Sequence, residues 1–182
     1  MIGLELYSEP SEQHIPHNPS VEQFAIHPYF NRIGQMPLSK ENESADIVYL
    51  CHKLEHLDEH DAIFLLAEVF RVLKHGGVIQ LTCTDFAKIC KIYKREGSLD
   101  YAIGGVDKIK DLIRQTVFDE DCLRKKLTEI GFTGLNFHRV NPRYFDDDFI
   151  DRFGEDVFRV RQLYEIYVEG VNMKTDTVIW TA

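Results

Sequence analysis

Glycine is absent between Gly3 and Gly34. The chain's first strand pattern runs into Glu5-Leu-Tyr-Ser-Glu-Pro-Ser11, and no glycine occurs in that turn. Long apolar runs are missing too, so no membrane-spanning helix is expected. The opening Met1-Ile-Gly-Leu-Glu-Leu6 has no basic n-region and reads as a strand, which makes cytoplasmic residence the expectation. Positive charge is scarce: 21 Lys and Arg face 30 Asp and Glu, for a net charge of −9. Such a chain repels a phosphate backbone, so nucleic acid is not an expected partner. The four cysteines, Cys51, Cys83, Cys90 and Cys122, form no CxxC pair and read as reduced thiols, with Cys51 and Cys83 packing as small hydrophobes.

What is present fits one domain over residues 1–182. The apolar content of 44% suffices for one core. Alternation at Ile2–Tyr7 predicts a first strand, and Gln23–His27 reads as a second. Ala45–Cys51 is an apolar run consistent with a strand covered on both faces. Asp58–Leu73 predicts the clearest helix, because Ala62, Leu66, Val69, Phe70 and Leu73 share one stripe. Asp58 suits its cap, Arg71, Lys74 and His75 suit its last turn, and Gly76-Gly77 supplies a stop. Val78–Thr84 reads as the next strand and Phe86–Arg95 as a helix. Asp107–Gln115 is a weaker helical pattern. Asp119–Ile130 is strong, with Leu123, Leu127 and Ile130 on one face and Gly131 at its end. Gly134–Val140 and Leu163–Val171 close the strand inventory, and the segment Tyr144–Phe158 between them is acidic and aromatic. In the last strand Ile166 and Val168 alternate with Glu165, Tyr167 and Glu169. Strands alternating with helices predict a mainly parallel sheet with helices on both faces. The last two strands lack a firm crossover helix, so they are expected to pair antiparallel at one edge.

Four segments carry a family resemblance. Ser44-Ala-Asp-Ile-Val-Tyr-Leu-Cys-His-Lys-Leu-Glu-His-Leu57 is similar to D-x-V/I-x-x-x-H-x-L-E-H-L. Glu68-Val-Phe-Arg-Val-Leu-Lys-His-Gly-Gly77 is close to E-x-x-R-V-L-K-P-G-G. Thr84-Asp85-Phe86 resembles P-D-F/L, and Phe118–Phe132 resembles F-D-x-x-x-L-x-x-x-L-x-x-x-G-F. Together they resemble the class I S-adenosylmethionine-dependent methyltransferases, and more narrowly a group of short methyltransferases. The resemblance implies a Rossmann-like fold, S-adenosylmethionine as cofactor and a small-molecule or carbohydrate-type methyl acceptor.

The same resemblance implies where the cofactor would lie. The positions that match the family's contacts are Glu5, Tyr7 and Ser8 after the first strand, His27 after the second, Met36 and Pro37, and His52. Departures are concentrated there. Tyr7, Glu9 and Ser11 replace glycines that elsewhere let the backbone approach the ligand. His27 replaces an acid that grips ribose hydroxyls, and Arg32 lies near a further expected acid. The alternative reading is therefore a methyltransferase fold whose cofactor site has decayed into a binding or assembly module.

His52, Glu55 and His56 follow a strand, and Asp85 follows the next one. In the resembling family this rim borders cofactor and acceptor. These four are the candidate catalytic residues, able in principle to take a proton as a methyl group transfers. Methyl transfer mostly requires alignment, so a dedicated base is optional. The duller reading is that Glu55 and His56 shape the turn and cap the next helix. His52-Lys-Leu-Glu-His56 also matches H-x-x-E-H, but the helical period begins only near Asp58, so no metal site is expected. His14, His17 and Asp146-Asp-Asp148 read as solvated polar segments. Trp180 reads as a hydrophobic anchor, within this domain or across a homodimer.

Overall fold

The computed structural model describes residues 3–7, 21–25, 38, 40–97, 115–138 and 165–174, with 3–7 and 21–25 described by their backbone alone. Six strands form one sheet: β1 (Gly3–Tyr7), β2 (Val21–Ala25), β3 (Ala45–Cys51), β4 (Leu73–Thr84), β5 (Phe132–His138) and β6 (Glu165–Asn172). Their spatial order is β2-β1-β3-β4-β6-β5. The pairs β1/β2, β1/β3 and β3/β4 are parallel, whereas β6 runs antiparallel to both β4 and β5. The sheet is therefore Rossmann-like, with one reversed strand inserted beside the β5 edge.

Three α-helices are described: α1 (Glu59–Val72), α2 (Phe86–Glu96) and α3 (Glu120–Ile130). Each begins with an aspartate cap. Asp58 Oδ1 accepts from Asp61 N at 2.8 Å, Asp85 Oδ1 from Lys88 N at 3.1 Å, and Asp119 Oδ1 from Cys122 N at 2.9 Å. Each bond satisfies a first-turn amide that has no partner inside the helix.

One face of the sheet is dry. Val48 and Leu50 of β3, Ile79, Leu81 and Cys83 of β4, and Ile166 and Val168 of β6 join Leu65, Leu66 and Val69 of α1 and Leu123 and Leu127 of α3 in one core. Full burial of each aliphatic side chain is worth about 1.5–3 kcal/mol. The helices α1 and α3 are tied together by Lys126 Nζ and Glu59 Oε1 at 2.6 Å, and Phe70 of α1 meets Phe132 of β5 edge-on at 5.1 Å. Gly131 ends α3 at φ 116, a conformation open to glycine, and an added Cβ would come within 3.0 Å of the Phe70 ring.

The opposite face is polar and hydrogen-bonded. Tyr49 Oη lies 3.3 Å from Thr82 Oγ1, Gln80 donates to Glu169 Oε1 at 2.9 Å, and Tyr167 Oη donates to the same oxygen at 2.9 Å. His138 Nε2 approaches Glu169 Oε2 at 3.2 Å. Of the two alternating sets in the last strand, the one with Tyr167 thus forms the polar layer, and Tyr167 is itself buried.

The end of α1 differs from expectation. The helix stops at Val72, and Leu73 is already extended, with φ −69 and ψ 134. Lys74 and His75 therefore belong to β4 rather than to the last helical turn. The β3/β4 register passes from Ala45↔Leu73 to Ile47↔Val78, so residues 74–77 form an irregular bulge. Gly76, at φ 77, turns the chain inside this bulge instead of capping the helix.

Candidate functional site

Parallel strands aim their carboxyl ends at one rim. The chain leaves β1 for β2 on one side, then crosses back to place β3 on the other. That reversal makes a crevice between the tips of β1 and β3, where open α/β sheets take their ligands. Leu6 pairs with Leu50 and Tyr7 with Ala25, so Tyr7 ends β1 at this rim, and Cys51-His52 leaves β3 there.

His52 itself takes φ 47, the left-handed region that few non-glycine residues occupy. Its amide donates to Thr82 O at 2.9 Å, which holds the turn to β4. A short 3-10 turn, Leu54–His56, follows. Thr116 clamps that turn from outside: its hydroxyl lies 3.1 Å from both Leu54 O and Leu57 O and shares its one proton between them. The amides of Gln115 and Thr116 donate to Glu55 O, and Gln115 Nε2 donates to His56 O at 3.0 Å.

The imidazole of His52 lies between two carboxylates. Nδ1 is 2.8 Å from Glu55 Oε1, and Nε2 is 2.8 Å from Glu165 Oε1. Glu55 Oε1 also accepts from the amide and hydroxyl of Thr84 at 3.3 and 3.1 Å. Both carboxylates are almost fully buried, while about a quarter of His52 reaches the surface, at 24% exposure. Burial pulls the His52 ring toward neutrality, but the charges and hydrogen bonds of Glu165 and Glu55 prevail and hold it well above 6.5. Burial also works against the Glu55 anion, and the His52 charge overcomes that, taking its carboxyl down to about 2. Lys53, next in the chain, is buried, and that burial lowers its amine to about 8.

The structure brings His52 and Glu55 into direct contact. Asp85 stands at the end of β4, where it caps α2 and lies 3.8 Å from Lys88 Nζ through its second oxygen. His56 lies in the 3-10 turn, and capping of α1 falls to Asp58 rather than to Glu55 or His56. Glu5 and Tyr7 are placed by backbone alone. Ser8, His27, Met36 and Pro37 lie outside the described residues, as do His14, His17, Asp146–Asp148 and Trp180.

Glu165 is the member that sequence reading missed. It is 113 positions from His52 and belongs to the reversed strand. The strand's alternation marked it as off the apolar face, and nothing local ties it to the turn after β3. Among the described residues no group of three or more His, Cys, Asp and Glu has the arrangement of a metal site. Among them, too, no helix is long and apolar enough to cross a membrane.

Comparison with known proteins agrees with this architecture. A family profile described as "Methyltransferase domain" matches residues 16–81. The match begins beyond the glycine-free turn and takes in β3, the His52 turn, α1 and most of β4. No protein of curated function matches the sequence. Among solved structures, a S-adenosylmethionine-dependent methyltransferase from Archaeoglobus fulgidus superposes with a TM-score of 0.52 at 11% identity, over 93% of this chain and 85% of that one. One from Mesorhizobium loti gives a TM-score of 0.50 at 11% identity, over 92% and 79%. The Haemonchus contortus phosphoethanolamine N-methyltransferase 2, solved with S-adenosyl-L-methionine, gives 0.42 at 13% identity over 75% of this chain, which spans only 35% of its length.

Proposed function

We propose that this chain is a class I methyltransferase, and that the rim between β1 and β3 binds S-adenosylmethionine and directs its methyl group to a small-molecule or carbohydrate-type acceptor. The observation that carries this reading is the His52 turn. A strained residue, braced by two buried carboxylates, stands at the switch point between β1 and β3. The carbohydrate alternative rests on the family resemblance alone.

The described residues fit a cationic cofactor. The Glu55–His52–Glu165 unit holds two carboxylates against one imidazole, and Glu55 Oε2 is buried with no hydrogen-bond partner among the described residues. When bound, the cofactor supplies an electrophilic methyl group. Glu5, Tyr7, Ser8, His27, Met36, Pro37 and His52 would hold it. Of the rim acids, Asp85 is half engaged as a helix cap and remains a candidate to receive an acceptor's proton. His56 and Glu55 serve this reading by shaping the turn.

A second reading is favoured by one feature, the absence of glycine from Glu5 to Ser11. In that reading the fold persists as a binding module without methyl transfer. Titration calorimetry and thermal melts with S-adenosylmethionine and S-adenosylhomocysteine separate the two. A ligand that binds only the folded chain stabilises it by about 2.7 kcal/mol at a hundredfold excess over Kd. A raised Tm with both compounds is expected. No shift at millimolar ligand would leave the binding-module reading standing.

A further inference from the structure

We propose that Glu165 is a positioning residue: with Glu55 it holds the His52 ring as a doubly donating imidazolium, pins the turn after β3, and keeps that ring out of proton transfer. The argument begins with hydrogen-bond inventory. An ionised carboxylate only accepts, and a neutral imidazole has a single N–H. Both ring nitrogens of His52 lie 2.8 Å from a carboxylate oxygen, so with both carboxylates ionised the two contacts together require two N–H groups. Moving a proton onto Glu55 does not relieve this. Its Oε1 already accepts from the Thr84 amide and hydroxyl, and so faces donors on every side.

Glu165 reaches the ring only because β6 is reversed. It starts β6 opposite Thr84, the last residue of β4, and so arrives at the carboxyl rim from the far side. Lys88 Nζ bonds its backbone carbonyl and fixes the strand's first residue against α2. The result is a bridge from the turn after β3 across β4 to β6. It braces a backbone that sits at φ 47, in the left-handed region.

The charged and titratable groups around the ring come from each element packed there. Glu55 in the turn and Glu165 in β6 act on the ring directly, His56 acts on Glu55, and the other charged groups of these elements are Lys53 in the turn and the Asp85–Lys88 pair at the start of α2. Carboxylates dominate at hydrogen-bonding distance, which is the condition for a persistent imidazolium. A histidine in that state has no lone pair to offer an acceptor's hydroxyl or amine. If the rim transfers methyl groups, the ring acts as a fixed cation that orients its two carboxylates, and any proton leaves by another route. Only this kinetic consequence rests on the methyltransferase reading.

The test uses the full chain without ligand. Two-bond proton–nitrogen correlation spectra distinguish an imidazolium, with two similar ring nitrogens, from a neutral ring, with two very different ones. Loss of a signal in His52→Gln assigns it. The wild-type ring is expected to stay an imidazolium well above the ordinary value of about 6.5, whereas the Glu165→Gln ring should turn neutral at a distinctly lower pH than wild type. A neutral wild-type ring at pH 7 would overturn the proposal, as would a Glu165→Gln ring that titrates like wild type. Should Glu165→Gln not fold, the wild-type titration decides alone. If methyl transfer is measurable, the wild-type kcat/KM profile should lack a histidine limb near neutrality, and Glu165→Gln should gain one. Failure to bind S-adenosylhomocysteine would count against the methyltransferase reading and leave the spectra to decide the state of His52.

Discussion

The two faces of β4 are one residue step apart and are held by different physics. Ile79, Leu81 and Cys83 look into the helices, where any one of them has many apolar neighbours. Gln80, Thr82 and Thr84 look the other way, and each contact there is a specific pair: Gln80 with Glu169, Thr82 with Tyr49, Thr84 with Glu55. Dispersion and burial add up over many small contacts, so the first face is stable by number. Hydrogen bonds gain little net energy, but their loss leaves a buried group stranded, so the second face is stable by completeness.

That contrast sets the expected size of each perturbation. The largest should come from the dry face. Leu81→Ala removes a fully buried side chain and should cost about 2–5 kcal/mol in urea unfolding. A loss under half a kilocalorie would show that the core closes over the gap. Next comes the braced histidine. Glu165→Ala strands one ring nitrogen and should cost about 1–3 kcal/mol, with Glu165→Gln costing less. Equal losses in both variants would mean that the charge of Glu165 carries the whole effect and its acceptor oxygen none of it.

The pH response should single out the same unit. Glu55 is depressed from 4.5 to about 2, so its contribution is complete above about 4.5 and fades as pH falls toward 2. His52 is raised well above 6.5, so its contribution is complete below about 6.5 and fades as pH rises through the folded value. Both statements describe one coupled interaction, at full strength between those two ordinary values. Urea midpoints across pH should show His52→Ala losing both arms relative to wild type. A constant offset at every pH would rule out this coupling. The smallest effect should be at the helix ends, away from both faces. Asp119→Ala should cost about 0.5–2 kcal/mol by removing one cap bond, with the crevice unaffected in ligand-binding titrations.

Legibility in the sequence follows the same division. Helical and alternating periods located α1, α2, α3, β3 and β4 within a residue or two at most ends, because those periods record the dry face directly. The order of elements and the Leu54-Glu-His-Leu57 turn resembled the right fold family. Completeness is not periodic. Nothing near Glu165 marks it as the partner of His52, since a strand residue's alternation gives its face but not its cross-sheet neighbour. The left-handed turn at His52 was equally hidden, because histidine carries no glycine-like signal of positive φ. The end of α1 was misplaced for the opposite reason. Gly76-Gly77 looked like a helix stop, yet Leu73 had already joined the ladder beside Ala45, so tertiary pairing overrode a local signal.

The bulge at residues 74–77 has a practical corollary. It breaks the ladder at the amino end of β4, and the regular run from Val78 to Thr84 carries the strand roughly 20 Å from there to the rim. A Cβ at Gly77 would come within 2.9 Å of Lys74 O, so tolerance of substitution in the bulge is confined to its exposed tip. His75 is exposed, and a Cβ at Gly76 would meet nothing within 4 Å. A fluorophore carried on His75→Cys would thus report the melting of the sheet while staying blind to whatever occupies its far end.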